Sequence, residues 1–87
     1  MNAMTHHLYI NDIKTLSNGH VKVNFVGSDD TWIVYTPFNE PKYEHIIRHW
    51  IEDSGCSVHE ESNSYIVVSS EDAALIILAF TKYTPRF

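Results

Sequence analysis

Eighty-seven residues, 44% of them hydrophobic and 20% charged, make up one folded domain with room for a single two-layer core. A net charge of −5 with only six lysines and arginines excludes a long basic stripe for nucleic acid, and the longest apolar run, Ala73 to Phe80, is far short of the roughly 20 residues that span a bilayer. Cys56 is the only cysteine, so an internal disulfide is excluded and a reducing, cytoplasmic setting is expected.

No basic or apolar leader is readable at Met1–His7, and residues 1–6 are expected to be mobile, with 1–87 forming one domain. His7 to Ile13 reads as a first strand with imperfect alternation, since Leu8 and Ile10 share a face with the polar Asp12. Ser17-Asn18-Gly19 follows, and Asn-Gly tolerates the positive φ angles of a tight hairpin turn. His20 to Val26 alternates cleanly, with Val21, Val23 and Phe25 opposite Lys22 and Asn24. Gly27-Ser28-Asp29-Asp30 is turn chemistry. Thr31 to Thr36 is β-branched and aromatic throughout, which predicts a central strand covered on both sides and completes a three-stranded meander.

Asn39-Glu40-Pro41 predicts a helix start with Asn39 as the cap, and Gly55 predicts its end. Between them Tyr43, Ile46, Ile47, Trp50 and Ile51 recur at helical spacing, leaving His45, Arg48, His49 and Glu52 on a polar side. Cys56 to Glu60 and Tyr65 to Val68 read as two short strands around a turn at 61–64. Ser69 with Asp72 three residues on predicts a capping box for a second helix that frays near Thr84-Pro85. The expected fold is α+β: a mainly antiparallel sheet in the order βββ-α-ββ-α with both helices packed on it.

That second helix is the most informative stretch. After Glu71-Asp72 it is apolar on every face, which implies burial from two sides. At about 100° per residue, Ala73, Ile76, Ile77 and Phe80 suit the sheet, while Ala74, Leu75, Leu78 and Ala79 fall opposite, with Lys82. Either the first helix leans over and buries Leu75 and Leu78, or that side meets a partner or a second copy. Charge is also uneven. Glu52, Asp53, Glu60, Glu61, Glu71 and Asp72 lie between Arg48 and Lys82, where no lysine or arginine occurs.

Chemistry-bearing groups are sparse, and no catalytic residue or cofactor is expected. His45 and His49 are one helical turn apart, the one spacing here that suits a metal ion. Arg48 stands between them, a third ligand would have to come from Glu52 or His59, and a solvated helix face is the expectation. The carboxylate pairs Asp29-Asp30, Glu60-Glu61 and Glu71-Asp72 are sequence neighbours and do not converge as an acid and base pair. Cys56 and His59 have the composition of a nucleophile and base, but a cysteine opening a strand is expected in the core. Glycines 19, 27 and 55 are all assigned to turns or a cap, leaving none for a phosphate loop. Tyr9, Tyr35 and Tyr83 are the aromatics that could form a surface platform.

The segment Tyr65-Ile66-Val67-Val68-Ser69-Ser70-Glu71-Asp72-Ala73-Ala74-Leu75 resembles the ending of many small uncharacterised tailed-bacteriophage proteins, where a hydrophobic strand runs into an acidic-acidic-Ala helix start. Ile76-Ile77 departs from that pattern, in which a larger side chain and a basic residue are common. The resemblance implies an accessory phage protein acting in the host cytoplasm, and no activity carries over with it. The expected function is protein binding without catalysis, with Leu75, Leu78, Ala74, Ala79, Glu60 and Glu61 as contact residues and a homodimer as one form. The partner is expected to be another protein, with neither nucleic acid nor membrane contacted directly. The rival readings are an acidic nucleic-acid mimic that fills a basic groove, and a metal-binding or catalytic protein built on His45 and His49.

Overall fold

The computed structural model describes residues 6–29 and 31–81. In chain order they form β1 (His7–Thr15), β2 (Val21–Ser28), β3 (Ile33–Val34), a 3-10 turn (Pro37–Asn39), α1 (Pro41–Ser54), β4 (Glu60–Glu61), β5 (Tyr65–Val68) and α2 (Ser70–Phe80). The sheet is antiparallel in the order β1-β2-β5-β4, with β3 paired separately to the end of β2. The α+β class and the element order are those expected from the sequence.

The hairpin joining β1 to β2 turns at the expected residues by a longer route. The Gly19 amide donates to the Leu16 carbonyl at 3.1 Å and the Leu16 amide to the His20 carbonyl at 2.8 Å. Only Gly19 of the loop has positive φ, at 86°. This is a type I turn followed by a left-handed glycine, the common three-residue solution. The Asn18 side chain accepts from the His20 amide at 3.0 Å.

The imperfect alternation of β1 has a physical cause. Ile10 pairs with Phe25 and Asp12 with Asn24, so Asn11 is an extra, bulged residue. The bulge flips the phase: Asp12 turns to the face of Asn24, and Ile13 rejoins the face of Leu8 and Ile10 opposite Val23.

Two expected strands are corrected. Thr31 to Thr36 is not a central strand: only Ile33 and Val34 pair, with Ser28 and Gly27, and the place beside β2 belongs to β5. Trp32 and Tyr35 are consequently exposed, at 71% and 64%. Cys56 to Glu60 is likewise mostly irregular, with pairing confined to Glu60 and Glu61, although Cys56 itself is buried. In both segments the residue types favour a pleated surface but do not select the neighbour that supplies it.

The turn after β2 is held by Asp29. Its carboxylate accepts from the Thr31 hydroxyl at 2.7 Å, the Thr31 amide at 2.8 Å and the Trp32 amide at 3.0 Å. These bonds, the Thr31 hydroxyl first, hold its pKa down from 3.8 to about 2. A depressed carboxylate stabilises the fold above its unfolded pKa, and that contribution disappears as pH falls through the folded one. Asp29→Asn is therefore expected to be less stable than wild type at neutral pH, with the gap narrowing as pH falls from 3.8 to about 2. Urea titrations at a series of pH values measure this, and a gap constant across that window would refute it.

Helix α1 begins at Glu40, whose side chain makes no capping bond, rather than at Asn39, which is taken into the 3-10 turn. Pro41 occupies the first helical position, and Gly55 closes the helix with φ of 77° and its amide on the Ile51 carbonyl at 2.9 Å. Helix α2 is capped by Ser69, whose hydroxyl accepts from the Asp72 amide at 3.2 Å. The reciprocal half of the box is not made. The Asp72 carboxylate instead accepts from the Ser57 amide at 3.1 Å, tying the start of α2 to the loop after α1. The expected fraying near Thr84-Pro85 and the expected mobility of residues 1–5 lie outside the described residues. His6 is described, its ring edge-on to Tyr43 with centroids 5.8 Å apart.

One face of the sheet carries the core. Val21, Val23, Phe25, Ile66 and Val68 pack with Tyr43 and Ile47 of α1 and with Ala73, Ile76 and Phe80 of α2. A run of edge-to-face rings, Phe38–Phe25, Phe25–Phe80 and Phe80–Trp50, each pair with centroids 5.5 Å apart, links the sheet to both helices. On the other face Val67 is buried between Lys22 and Glu60, its pairing partners, and the Lys22 ammonium lies 4.2 Å from the Tyr65 ring centroid.

Candidate protein-docking site

The site is built from the sides of α1 and α2 that the sheet leaves uncovered. Ala73, Ile76 and Phe80 point one side of α2 into the core, so the rest of a helix that is apolar all round must face elsewhere. Helix α1 does not cover it. Leu75 is 46% exposed and Leu78 76%, with Ala74 and Ala79 exposed beside them.

The helices touch through the Trp50 and Phe80 rings, at 71° to one another, and leave a groove beside that contact. Its volume is about 370 Å³, with His45, Ile46, His49, Trp50 and Asp53 of α1 on one side and Ala79 and Phe80 of α2 on the other. The α1 residues fall in rows spaced by four, as a helical ridge requires. Ala79 is one turn beyond Leu75, so the groove lip continues into the exposed leucines over the outer side of α2. The sequence placed Leu75, Leu78 and Ala79 on one side of a helix but did not reveal the groove. Its floor is made by Trp50 and Phe80, which periodicity assigns simply to the core.

Glu60 and Glu61 do not share a surface. Glu60 pairs with Val67 and Glu61 with Ile66, so the two carboxylates leave opposite faces of the sheet. Glu61 accepts from the Arg48 guanidinium at 2.9 Å, and Glu44 lies 3.6 Å from the same group. All three are well exposed, so the bridges are worth well under about 1 kcal/mol each after solvent screening. Glu60 accepts from the Tyr65 hydroxyl at 2.6 Å, a bond that raises the Tyr65 pKa. Neither residue lines the groove.

His45 and His49 are stacked on the outer side of α1 with ring centroids 6.0 Å apart, and His49 Nε2 lies 3.4 Å from the Asp53 carboxylate. Glu52 lines the shallow depression beside both histidines, whereas His59 stacks on His20 at 4.3 Å. Among the described residues no group of three or more His, Cys, Asp or Glu side chains is disposed to hold a metal ion. Tyr9 stacks on His7 at 5.6 Å, Tyr35 is exposed next to β3, and Tyr83 lies outside the described residues.

No protein-family model matches the chain, and no curated protein or solved structure matches it either. Among the described residues no helix is long and apolar enough to cross a membrane.

Proposed function

We propose that this chain is a protein-binding module without catalytic chemistry, and that its contact surface is the outer side of α2 together with the groove between α2 and α1. The observation that carries the reading is the exposure of Leu75 and Leu78 next to an apolar groove. Covering Leu78 would contribute up to roughly 1.5–3 kcal/mol and the half-exposed Leu75 about half as much, a large amount for a domain of this size. Contiguous apolar surface of this kind on a small domain is commonly where a second protein docks. Self-association through α2 is one form the contact can take, since a twofold axis lets the same patch face itself.

The test is the double substitution Leu75→Glu, Leu78→Glu. Both side chains already face solvent, so circular dichroism and the urea midpoint should stay close to wild type, within about 0.5 kcal/mol per site. Association is expected to be lost, read as a smaller mass by light scattering or as failure to retain a partner captured from the source cells. A variant that associates as wild type does would refute the assignment of this surface. A variant that unfolds would place the leucines in the protomer core, where unpaired carboxylates are costly, and would refute it equally.

A further inference from the structure

We infer that the groove receives an amphipathic helix of another protein, with an apolar stripe flanked by lysines or arginines; this rests on the docking reading above and adds the chemistry of the partner. Helical form follows from the walls. Both sides of the groove are helices whose backbone bonds are made internally, so an extended segment would find no strand edge to pair with. A helix satisfies its own backbone and offers side chains at the spacing of Leu75, Leu78 and Ala79.

Basic flanks follow from the rim. Asp53 lines the groove and pairs with His49, while Glu71, one turn before Leu75 and two before Leu78 on the same side of α2, makes no ion pair among the described residues. The sequence holds no lysine or arginine between Arg48 and Lys82, and Arg48 is already engaged by Glu61 and Glu44. A second copy would bring the same carboxylates, on a chain of net charge −5, against one another. A cationic helix pairs with them instead, and its apolar stripe covers Leu75, Leu78 and the Trp50–Phe80 floor.

The experiment uses the full chain carrying Trp32→Phe, which leaves Trp50 as the single tryptophan reporter of the groove. Three designed helical peptides of about five turns, roughly 18 residues, share a leucine stripe and carry Lys, Gln or Glu beside it. Fluorescence titration is expected to show the Lys peptide binding at least about tenfold tighter than the Gln peptide, with the difference shrinking as salt rises, and the Glu peptide not binding. Asp53→Asn with Glu71→Gln should reduce the Lys-over-Gln preference severalfold, and Ala79→Gln, which thickens the groove wall without adding charge, should weaken the Lys and Gln peptides alike.

Equal binding of the Lys and Gln peptides would overturn the basic partner and leave the docking surface standing. Binding insensitive to Ala79→Gln would overturn the groove as the seat. No peptide binding, with a wild-type dimer that Leu75→Glu, Leu78→Glu dissociates, would make a second copy the occupant; no peptide binding by a chain that neither self-associates nor captures a partner would overturn both readings.

Discussion

Truncating Ile76 to alanine should remove about 2–5 kcal/mol of stability, whereas the same truncation two residues away, at Leu78, should change it by under about 0.5 kcal/mol. Ile76 is fully buried and sits in the core with Ala73, Phe80 and Phe25, so the lost methyl groups leave a cavity that packed neighbours cannot fill. Leu78 is 76% exposed, and alanine is at least as good a helix former. A domain of this length has about 4–13 kcal/mol in total, so the Ile76 variant should unfold at a visibly lower urea concentration. Equal losses at the two positions would mean that α2 is rotated about its axis relative to the described packing.

Gly27→Ala is expected to cost about 1–3 kcal/mol, the opposite sign from the usual gain when glycine leaves a strand interior. A Cβ at position 27 would lie 2.7 Å from two carbons of the Tyr43 ring and 2.8 Å from a third. The ring has little room to withdraw, because Tyr43 is fully buried in the core cluster. Shrinking the neighbour should relieve the clash. Tyr43→Leu and Gly27→Ala together should therefore cost less than the sum of the single changes, a coupling that a double-mutant cycle in urea measures. Strict additivity would show that the two groups are not in contact.

Much of the chain could be read locally. The glycine that ends α1, the proline that opens it, the serine that caps α2 and the Asn-Gly reversal each act within a few residues, through allowed φ and ψ values or one side-chain bond. The apolar stripe of α1 is a periodicity, and its Tyr43 and Ile47 are buried as that period requires. The misreadings have two causes. Asn39 against Glu40 as the cap, and the phase change at Asn11, turn on a single residue of backbone geometry that composition does not encode. The place of β3 turned on a competitor far along the chain, since β5 occupies the edge of β2 from Val21 to Asn24.

By itself, then, the sequence determined where the chain turns, which segments are helical, that α2 is apolar on every side and that the stretch from His49 to Thr81 lacks lysine and arginine. Those properties depend on neighbours a few bonds or one helical turn away. Only the tertiary structure decided that β5 pairs with β2, and that α1 meets α2 at Trp50 and Phe80 without covering Leu75 and Leu78, which leaves the groove between Trp50 and Ala79. Helical spacing shows which residues of an apolar helix share a side; how many of its sides are covered is decided by the surfaces that other segments bring to it.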